Sequence, residues 1–194
     1  RIVGGNTKPW LGRPVEGTTL DLSNHRGITS FEPTELVLTA RAGTPLSEIE
    51  SALADANQIL PFEPPHFGPG ATLGGTIACG LSGPRRPFAG SARDLVLGTR
   101  VISGRGEALR FGGEVIKNVA GYDVSRLMVG AYGTLGVLLE ASVKVLPAPQ
   151  TEVTITLEHS VPEAIAAMDA LGGKPYPLSA MAHVDGVTRV RLSG

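Results

Sequence analysis

The hydrophobic pattern divides the chain into short apolar segments separated by clusters of glycine and proline. Segments rich in β-branched and other apolar residues predict strands, because such side chains favour a pleated, half-buried surface. The predicted strands cover residues 1–3, 19–22, 27–31, 35–40, 95–103, 107–111, 137–146, 151–157, 181–184 and 187–192. We therefore expect an α+β fold in which short strands are joined by glycine-rich loops.

The clearest helix is predicted over residues 44–57, where apolar side chains recur every three or four positions. Thr44 stands at the N-cap and Pro45 at the first helical position, where the missing proline N–H has no intrahelical partner to lose. The core face of this helix is predicted to carry Leu46, Ile49 and Leu53.

Three further helices are predicted over residues 71–80, 124–129 and 161–171. The first is entered through a glycine pair, and the second begins after Asp123, a residue type that commonly caps helices. In the last helix, Ile165 and Met168 are spaced so that both should face a core.

The prolines at 147 and 149 mark a predicted domain boundary. Before them, a strand alternates apolar and polar side chains, with Val137, Leu139, Ala141, Val143 and Val145 on its predicted core face. After them, the order is strand, helix, strand, strand, and the last two strands are joined by an Asp-Gly turn at 185–186. This is the beginning of a ferredoxin-like β-α-β-β unit. We therefore expect one domain over residues 1–150 and a partial cap segment over 151–194.

Composition narrows the possible partners. The 17 basic and 18 acidic residues give a net charge of −1, so no strong field favours nucleic acid or anionic lipid. No apolar run approaches the ~18 residues that span a bilayer, so no transmembrane segment is expected. The single cysteine, Cys79, fits a reducing compartment, and the chain opens at Arg1 without a signal peptide. We expect a cytoplasmic location, with any membrane association made through partner subunits.

Several common kinds of chemistry lack their motifs. The four histidines are dispersed, and no set of His, Cys, Asp or Glu has metal-ligand spacing, so no metal site is predicted. Gly80-Leu81-Ser82-Gly83 lacks the spacing of a nucleophile elbow, and no P-loop is present. Cys79, in an apolar helix, is interpreted as a packed small residue in preference to a reactive thiol.

Two glycine clusters differ from ordinary turns. Gly4-Gly5-Asn6-Thr7 follows a strand and offers successive backbone N–H groups with no Cβ in the way, a geometry suited to an anion. Gly74-Gly75 opens a helix, whose first N–H groups are expected to be unpaired. Together the two clusters could hold one pyrophosphate without basic side chains.

The glycine clusters also carry a family resemblance. The segments at residues 1–7, 71–78, 90–94 and 133–137, in this order, resemble the FAD-binding domain of the vanillyl-alcohol-oxidase type, also called the PCMH-type flavin domain. The resemblance covers about residues 1–150 and implies two α/β subdomains, a small sheet and a larger mixed or antiparallel one flanked by helices. FAD would lie in the cleft between them. It also implies a strand and a helix before Arg1.

The resemblance implies non-covalent FAD, because Asn6 and Thr7 occupy the stretch where some relatives carry a flavin-linked histidine. The first loop would contact the pyrophosphate, and the segment near Val137 the adenine. The implied cofactor-binding residues are Gly4, Gly5, Asn6, Thr7, Lys8, Ala71, Thr72, Leu73, Gly74, Gly75, Ala78, Gly90, Ser91, Gly136 and Val137.

Residues 80–87 and 115–123 are most similar to the FAD-binding subunits of bacterial glycolate oxidases. This implies a flavoprotein oxidoreductase whose FAD accepts a hydride from a small 2-hydroxy acid. It also implies two kinds of partner subunit, a second flavoprotein and an iron–sulfur protein. One alternative is a non-catalytic flavin-carrying or assembly subunit. Another is the flavin reductase of cell-wall precursor synthesis. The short segment over residues 151–194, which ends in a hairpin, does not resemble the corresponding part of that enzyme.

Catalytic residues cannot be assigned from the resemblance. Arg85 and Arg86 could hold a substrate carboxylate, although a loop or subunit contact is the simpler account. The side chains of Tyr122 and Asp123 could touch the flavin, but a helix cap explains Asp123 more economically. Lys117 could stabilise a reduced flavin or could be an ordinary surface lysine.

Overall fold

The computed structural model of the chain describes residues 1–113 and 121–194. The described strands are β1 (Ile2–Val3), β2 (Leu20–Asp21), β3 (Ile28–Glu32), β4 (Val37–Arg41), β5 (Gln58–Ile59), β6 (Val96–Ile102), β7 (Ala108–Gly112), β8 (Val137–Lys144), β9 (Leu146–Pro147), β10 (Glu152–Glu158), β11 (Leu178–Val184) and β12 (Val187–Ser193). The helices are α1 (Leu46–Asp55), α2 (Leu73–Cys79), α3 (Arg86–Ala89), α4 (Ala92–Leu95), α5 (Val124–Met128) and α6 (Val161–Gly172). The expected α+β fold is confirmed.

The largest sheet has the order β3-β4-β8-β6-β7, and all of its pairings are antiparallel. The short strands β1 and β2 pair in parallel and form a separate small sheet. The strands β5 and β9 form another two-stranded sheet. The small sheet and the large sheet match the two-sheet arrangement that the family resemblance implies.

The hydrophobic core lies between the large sheet and the helices α1 and α2. The predicted core residues of α1, Leu46, Ile49 and Leu53, are fully buried. Buried side chains of this core come only from residues 38–145, among those that the structure describes. The core therefore supports the strands and helix starts that surround the glycine clusters.

Two predicted features of the first helices differ in detail. Thr44 does not cap α1: its hydroxyl accepts from the N–H of Gly27 at 2.9 Å and donates to the carbonyl of Gly27 at 3.2 Å. Pro45 is the N-cap residue instead. Thr72 caps α2, and its hydroxyl accepts from the N–H of Gly75.

The alternation predicted for β8 shifts by one residue along the strand. The expected core residues Val143 and Ala141 are buried, but towards the N-terminal end Leu138 is buried in place of Leu139. The pairing of β8 with β6 slips between Arg100 and Val101 at this level. A bulge reverses which side chains face the core, and a strict period of two cannot anticipate it.

The C-terminal residues form a third sheet, with the order β10-β12-β11 and antiparallel pairing throughout. The Asp185-Gly186 turn joins β11 to β12 as predicted. Helix α6 begins with a capping box between Ser160 and Glu163, whose paired hydrogen bonds lower the pKa of the Glu163 carboxyl.

The prediction that Ile165 faces the core is wrong. The Ile165 side chain is 64% exposed, and Ala164 is the residue of α6 that is buried against the sheet. Among the described helices, none is both long and apolar enough to cross a lipid bilayer.

Candidate functional site

A cleft with a volume of about 90 Å³ opens where β1, the start of α2 and the loop before β8 come together. Gly4, Thr72, Gly74 and Gly75 contribute one part of its wall. The other lining residues are Ile2, Leu22, Ala42, Ala78, Met128, Tyr132, Gly133, Gly136 and Leu138. The fold thus brings together both glycine clusters that the sequence singled out, although nearly 70 residues separate them.

The first loop keeps its backbone donors available. Among the residues that the structure describes, none accepts a hydrogen bond from the N–H groups of residues 4–8. Asn6 adopts a left-handed backbone conformation with a φ of 50°, and its side-chain oxygen accepts from the guanidinium of Arg1 at 2.8 Å. Successive amides of a loop in such a conformation form an anion-binding concavity.

The close approach between this loop and residues 70–72 requires glycine. A Cβ atom on Gly5 would overlap the carbonyl oxygen of Gly70, and one on Gly4 would lie 2.7 Å from Oγ1 of Thr72. The loop can therefore lie against the entrance to α2 only because neither glycine carries a side chain.

The expectation of unpaired N–H groups at the start of α2 is wrong. The amide of Leu73 donates to the carbonyl of Thr44 at 2.9 Å, and that of Gly74 donates to the carbonyl of Ala42 at 2.8 Å. The amide of Gly75 donates to the hydroxyl of Thr72 at 3.3 Å. The neighbouring chain and the cap already use these donors, so the start of α2 offers a ligand space in place of free amides.

The two glycines of α2 serve different purposes. A Cβ atom on Gly74 would lie 2.6 Å from the Cβ of Ala42, so this glycine allows the helix to pack against the end of β4. A Cβ atom on Gly75 would meet only the hydroxyl oxygen of Thr72, at 3.2 Å, and would otherwise project into open space. Because Gly75 lines the cleft, this space is available to a ligand.

Thr72 connects the two halves of the site. Its hydroxyl oxygen accepts from Gly75 and faces Gly4 across the cleft. A hydroxyl also carries one proton to donate, and no described residue accepts it. Thr72 can therefore donate a hydrogen bond to an anion held against the first loop.

The other end of the cleft is apolar. Ile2, Leu22, Met128 and Leu138 line it, and Tyr132 stands at its margin with 47% of its side chain exposed. The amide of Tyr132 donates to the carbonyl of Ala78 at 2.9 Å, which fixes this loop to α2. None of these apolar residues is among the cofactor-binding residues predicted from the sequence. Ile2 and Leu138 stand next to glycine segments, but no local signal marks Leu22.

Several predicted site residues lie outside the lining of this cleft, and Gly4 is the one residue of the loop of residues 4–8 that lines it. Ala71 and Leu73 are buried in the core. The amide and hydroxyl of Ser91, which follows Gly90, both donate to Asp94 in the capping box of α4. These bonds lower the pKa of the Asp94 carboxyl. Val137 is half-buried beside Gly136, which does line the cleft.

Lys8 supplies a positive charge at the end of the first loop. The side chain of Lys8 is half-buried, and its Nζ lies 3.4 Å from Oγ1 of Thr7. Burial raises the pKa of the Cys79 thiol, and the charge of Lys8 offsets part of that rise. A raised pKa disfavours the thiolate, which agrees with the interpretation of Cys79 as a packed residue.

Arg85 belongs to an ion network, which accounts for it better than a substrate contact does. Its guanidinium lies 3.4 Å from Glu63 and 3.0 Å from Glu152 of β10. Arg191 of β12 contacts the same two carboxylates. The Arg85 side chain is only 11% exposed. The network joins the C-terminal sheet to the loops beside α2 and α3, and Nε and Nη2 of Arg85 are both used in it.

The other residues considered as flavin contacts are Asp123, Tyr122 and Lys117. Asp123 caps α5 by accepting from the N–H of Arg126 at 3.0 Å, as the simpler account predicted. Tyr122 is 99% exposed. Lys117 lies outside the described residues. Within residues 1–113 and 121–194, no three His, Cys, Asp or Glu side chains are grouped to hold a metal ion.

Comparison with known proteins identifies the domain type. The model of the FAD binding domain family matches residues 1–112. The chain is 58% identical to glycolate oxidase subunit GlcE of Escherichia coli (strain K12), over 100% of this chain and 55% of that protein. It is 33% identical to glycolate oxidase subunit GlcD of Bacillus subtilis (strain 168), over 84% of this chain and 35% of that protein. The chain thus spans about half the length of the first relative and about a third of the second.

A solved structure shares the fold. The chain superposes on alkyldihydroxyacetonephosphate synthase with a TM-score of 0.76 and 18% sequence identity, covering 100% of this chain and 42% of that one. The family resemblance inferred from the glycine segments is confirmed by the family match.

The ion network predicts that Arg85 contributes to stability. We expect Arg85→Met to lower the free energy of unfolding by about 1–3 kcal/mol, because two partly buried carboxylates lose a partner. Arg86→Met is the matched control, since the neighbouring Arg86 side chain is exposed, and its effect should stay within about 0.5 kcal/mol. Chemical denaturation of both variants measures the difference. Equal stabilities would contradict the structural role of Arg85.

Proposed function

Because the chain belongs to the FAD binding domain family, we propose that it forms the flavin-binding part of a glycolate (2-hydroxy acid) oxidase subunit. The observation that carries this proposal is the 58% identity to glycolate oxidase subunit GlcE along the entire chain. The relationship to D-lactate and D-2-hydroxyglutarate dehydrogenases, at 28–33% identity, supports a small 2-hydroxy acid as the class of substrate.

The cleft fits the diphosphate of FAD in three respects. The loop of residues 4–8 has amide donors that no described residue uses. The hydroxyl of Thr72 faces the same loop with a proton to donate. Gly75 leaves space where any other residue would place a Cβ atom. Unpaired hydrogen-bond donors beside a space without side chains suit a phosphate that must approach the backbone closely.

In this proposal the first loop and Thr72 bind the diphosphate, and Lys8 supplies a cation near it. The apolar end of the cleft, with Ile2, Met128 and Leu138, receives an uncharged ring such as adenine. When bound, FAD supplies the two-electron redox chemistry that converts a 2-hydroxy acid into a 2-oxo acid. Attachment is non-covalent in this proposal, as the family resemblance implies, since Asn6 and Thr7 occupy the stretch where some relatives carry a flavin-linked histidine.

The described lining of the cleft contains no carboxylate and no imidazole. We propose, as the family resemblance implies, that the groups that bind the hydroxy acid and accept its proton lie in the cap or in a partner subunit. We accordingly propose that residues 1–150 form the flavin domain and that residues 151–194 begin a cap. A second flavoprotein and an iron–sulfur subunit are the proposed partners, and any association with a membrane is made through them.

The Gly75 position provides the sharpest test of the phosphate site. We expect Gly75→Val to weaken FAD binding at least tenfold, because its side chain would occupy the space next to Thr72. Gly104→Val is the control, because Gly104 lies in a turn with nothing within 4 Å of its Cβ position. Titration of the apoprotein with FAD, followed by flavin fluorescence, measures the affinity.

Thermal unfolding of the apoproteins must accompany this titration, and both variants should unfold near the wild-type temperature. Gly5→Val and Gly74→Val are poor tests, because each would collide with neighbouring backbone or core atoms and disturb the fold. Unchanged affinity in Gly75→Val would show that the cleft does not hold the diphosphate.

A single experiment distinguishes the oxidase function from the flavin-carrying function. Glycolate added anaerobically to the FAD-loaded protein should remove the visible absorbance of the oxidised flavin if the subunit oxidises the hydroxy acid. A flavin spectrum that glycolate leaves unchanged, both alone and with the partner subunits present, would contradict the oxidase proposal. Bleaching that requires the partners would favour the flavin-carrying alternative.

A further inference from the structure

The only tryptophan of the chain, Trp10, lies shortly after the first loop and packs against Phe67 at the protein surface. Trp10 is 62% exposed and Phe67 is 51% exposed. Their ring centroids lie 5.3 Å apart, and the ring planes cross at 81°. Aromatic pairs favour this edge-to-face arrangement, because the positive edge of one ring meets the negative face of the other. Burial in the core does not account for the pair.

The two rings belong to the two chain segments that meet at the candidate site. Trp10 follows the loop of residues 4–8, and Phe67 immediately precedes the segment that contains Gly68 and Gly70. The Cγ2 atom of Thr7 already lies 3.6 Å from the Cβ position of Gly68 and 3.7 Å from that of Gly70. The contact between Trp10 and Phe67 therefore extends the approach of the first loop to this segment.

The first loop has few hydrogen bonds that hold it in place. No described residue accepts a hydrogen bond from the amides of residues 4–8. Within the described part of the chain, two hydrogen bonds connect the loop to its surroundings: Asn6 accepts from Arg1, and the carbonyl of Lys8 accepts from the amide of Leu11. The free amides that suit an anion thus leave the loop backbone weakly restrained, and side-chain contacts have to supply the remaining order.

The order of the loop determines how tightly it can bind a ligand. A loop that is ordered only on binding pays for that ordering out of the binding free energy, and the apparent affinity falls with the fraction of molecules in the competent conformation. An edge-to-face aromatic pair is strong enough to change that fraction by a factor of about three to ten.

We propose that Trp10 and Phe67 are positioning residues for the diphosphate, because their contact holds the first loop against residues 68–72 in the conformation that binds it. This inference rests on the proposed function, in which the first loop binds the diphosphate of FAD. The pair acts through the backbone of the loop, and neither ring contacts the flavin. It should therefore strengthen the binding of FAD and of ADP alike.

ADP distinguishes this role from a contact with the flavin ring, because ADP carries adenosine and a diphosphate without that ring. We expect Trp10→Ala to weaken the binding of ADP and of FAD by the same factor, about three to ten. Calorimetric titration of the apoprotein measures both affinities. Tyr176→Ala is the matched control, since Tyr176 is 53% exposed and lies in the C-terminal segment, and it should leave both affinities unchanged.

The outcomes of this titration separate the inference from the proposed function. Weaker FAD binding with unchanged ADP binding in Trp10→Ala would overturn the inference, because Trp10 would then contact the flavin ring. Unchanged binding of both ligands would also overturn it. If the wild-type protein bound neither ligand, the proposed function itself would be contradicted.

A double substitution tests whether the two rings act together. Phe67→Ala should weaken ADP binding by a factor similar to that of Trp10→Ala, and the double variant should bind no more weakly than either single variant, because one contact can be lost only once. Trp10→Phe should restore most of the affinity, since it returns an aromatic ring to Phe67. Losses that multiply in the double variant would overturn the proposal.

The fluorescence of Trp10 tests the contact without any ligand. Phe67→Ala keeps the single tryptophan but removes its partner ring, so we expect lower fluorescence anisotropy in this apoprotein than in the wild type. The thermal unfolding midpoint should stay within about 3 °C of the wild-type value, because both side chains are largely exposed. Equal anisotropies would overturn the proposal. If Trp10→Ala fails to fold, the comparison of the wild type with Phe67→Ala still decides the question.

Discussion

The structure of the site depends on one backbone approach, in which the loop after β1 lies directly against the entrance to α2. Gly5 meets the carbonyl of Gly70, and Gly4 meets the hydroxyl of Thr72, at distances that leave no room for a Cβ atom. This contact brings together segments nearly 70 residues apart in the chain. The first loop, with its unpaired amides, lies beside the hydroxyl of Thr72 and the open space at Gly75 only because the contact exists.

The two glycine segments contribute in different ways, although their sequences look alike. The first loop has hydrogen-bond donors to offer, because its amides have no partner among the described residues. The start of α2 supplies shape, because its amides are already bonded to Ala42, Thr44 and Thr72. The site therefore does not need a helix dipole to attract an anion. In the proposed site, loop amides, one hydroxyl and the cation of Lys8 would hold the anion in a protein whose net charge is close to zero.

Local sequence patterns predicted the features that depend on local physics. The apolar period predicts the position of α1, turn chemistry predicts the Asp185-Gly186 turn, and side-chain capping predicts the role of Asp123. Neighbouring residues determine all three features. The glycine clusters and their family resemblance identified Gly4, Thr72, Gly75 and Gly136 as residues of one site, and the structure brings these four to the same cleft.

Features that depend on distant residues were not predictable in this way. The amides of Leu73 and Gly74 are used by residues at the end of β4 and just after it, which no spacing along α2 reveals. Arg85 could be assigned to the ion network only after the fold had placed Glu63 and Glu152 beside it. Ile165 has the spacing of a core residue, but it lies on a part of α6 that the described fold leaves uncovered.

The central claim is that loop amides, and not helix-start amides, bind the diphosphate. Amide hydrogen exchange with and without FAD tests it most directly. The account predicts that the amides of residues 4–8 exchange rapidly in the apoprotein and slowly with FAD bound, while those of Leu73 and Gly74 are slow in both states. Slowing confined to the start of α2, with residues 4–8 unchanged, would contradict it.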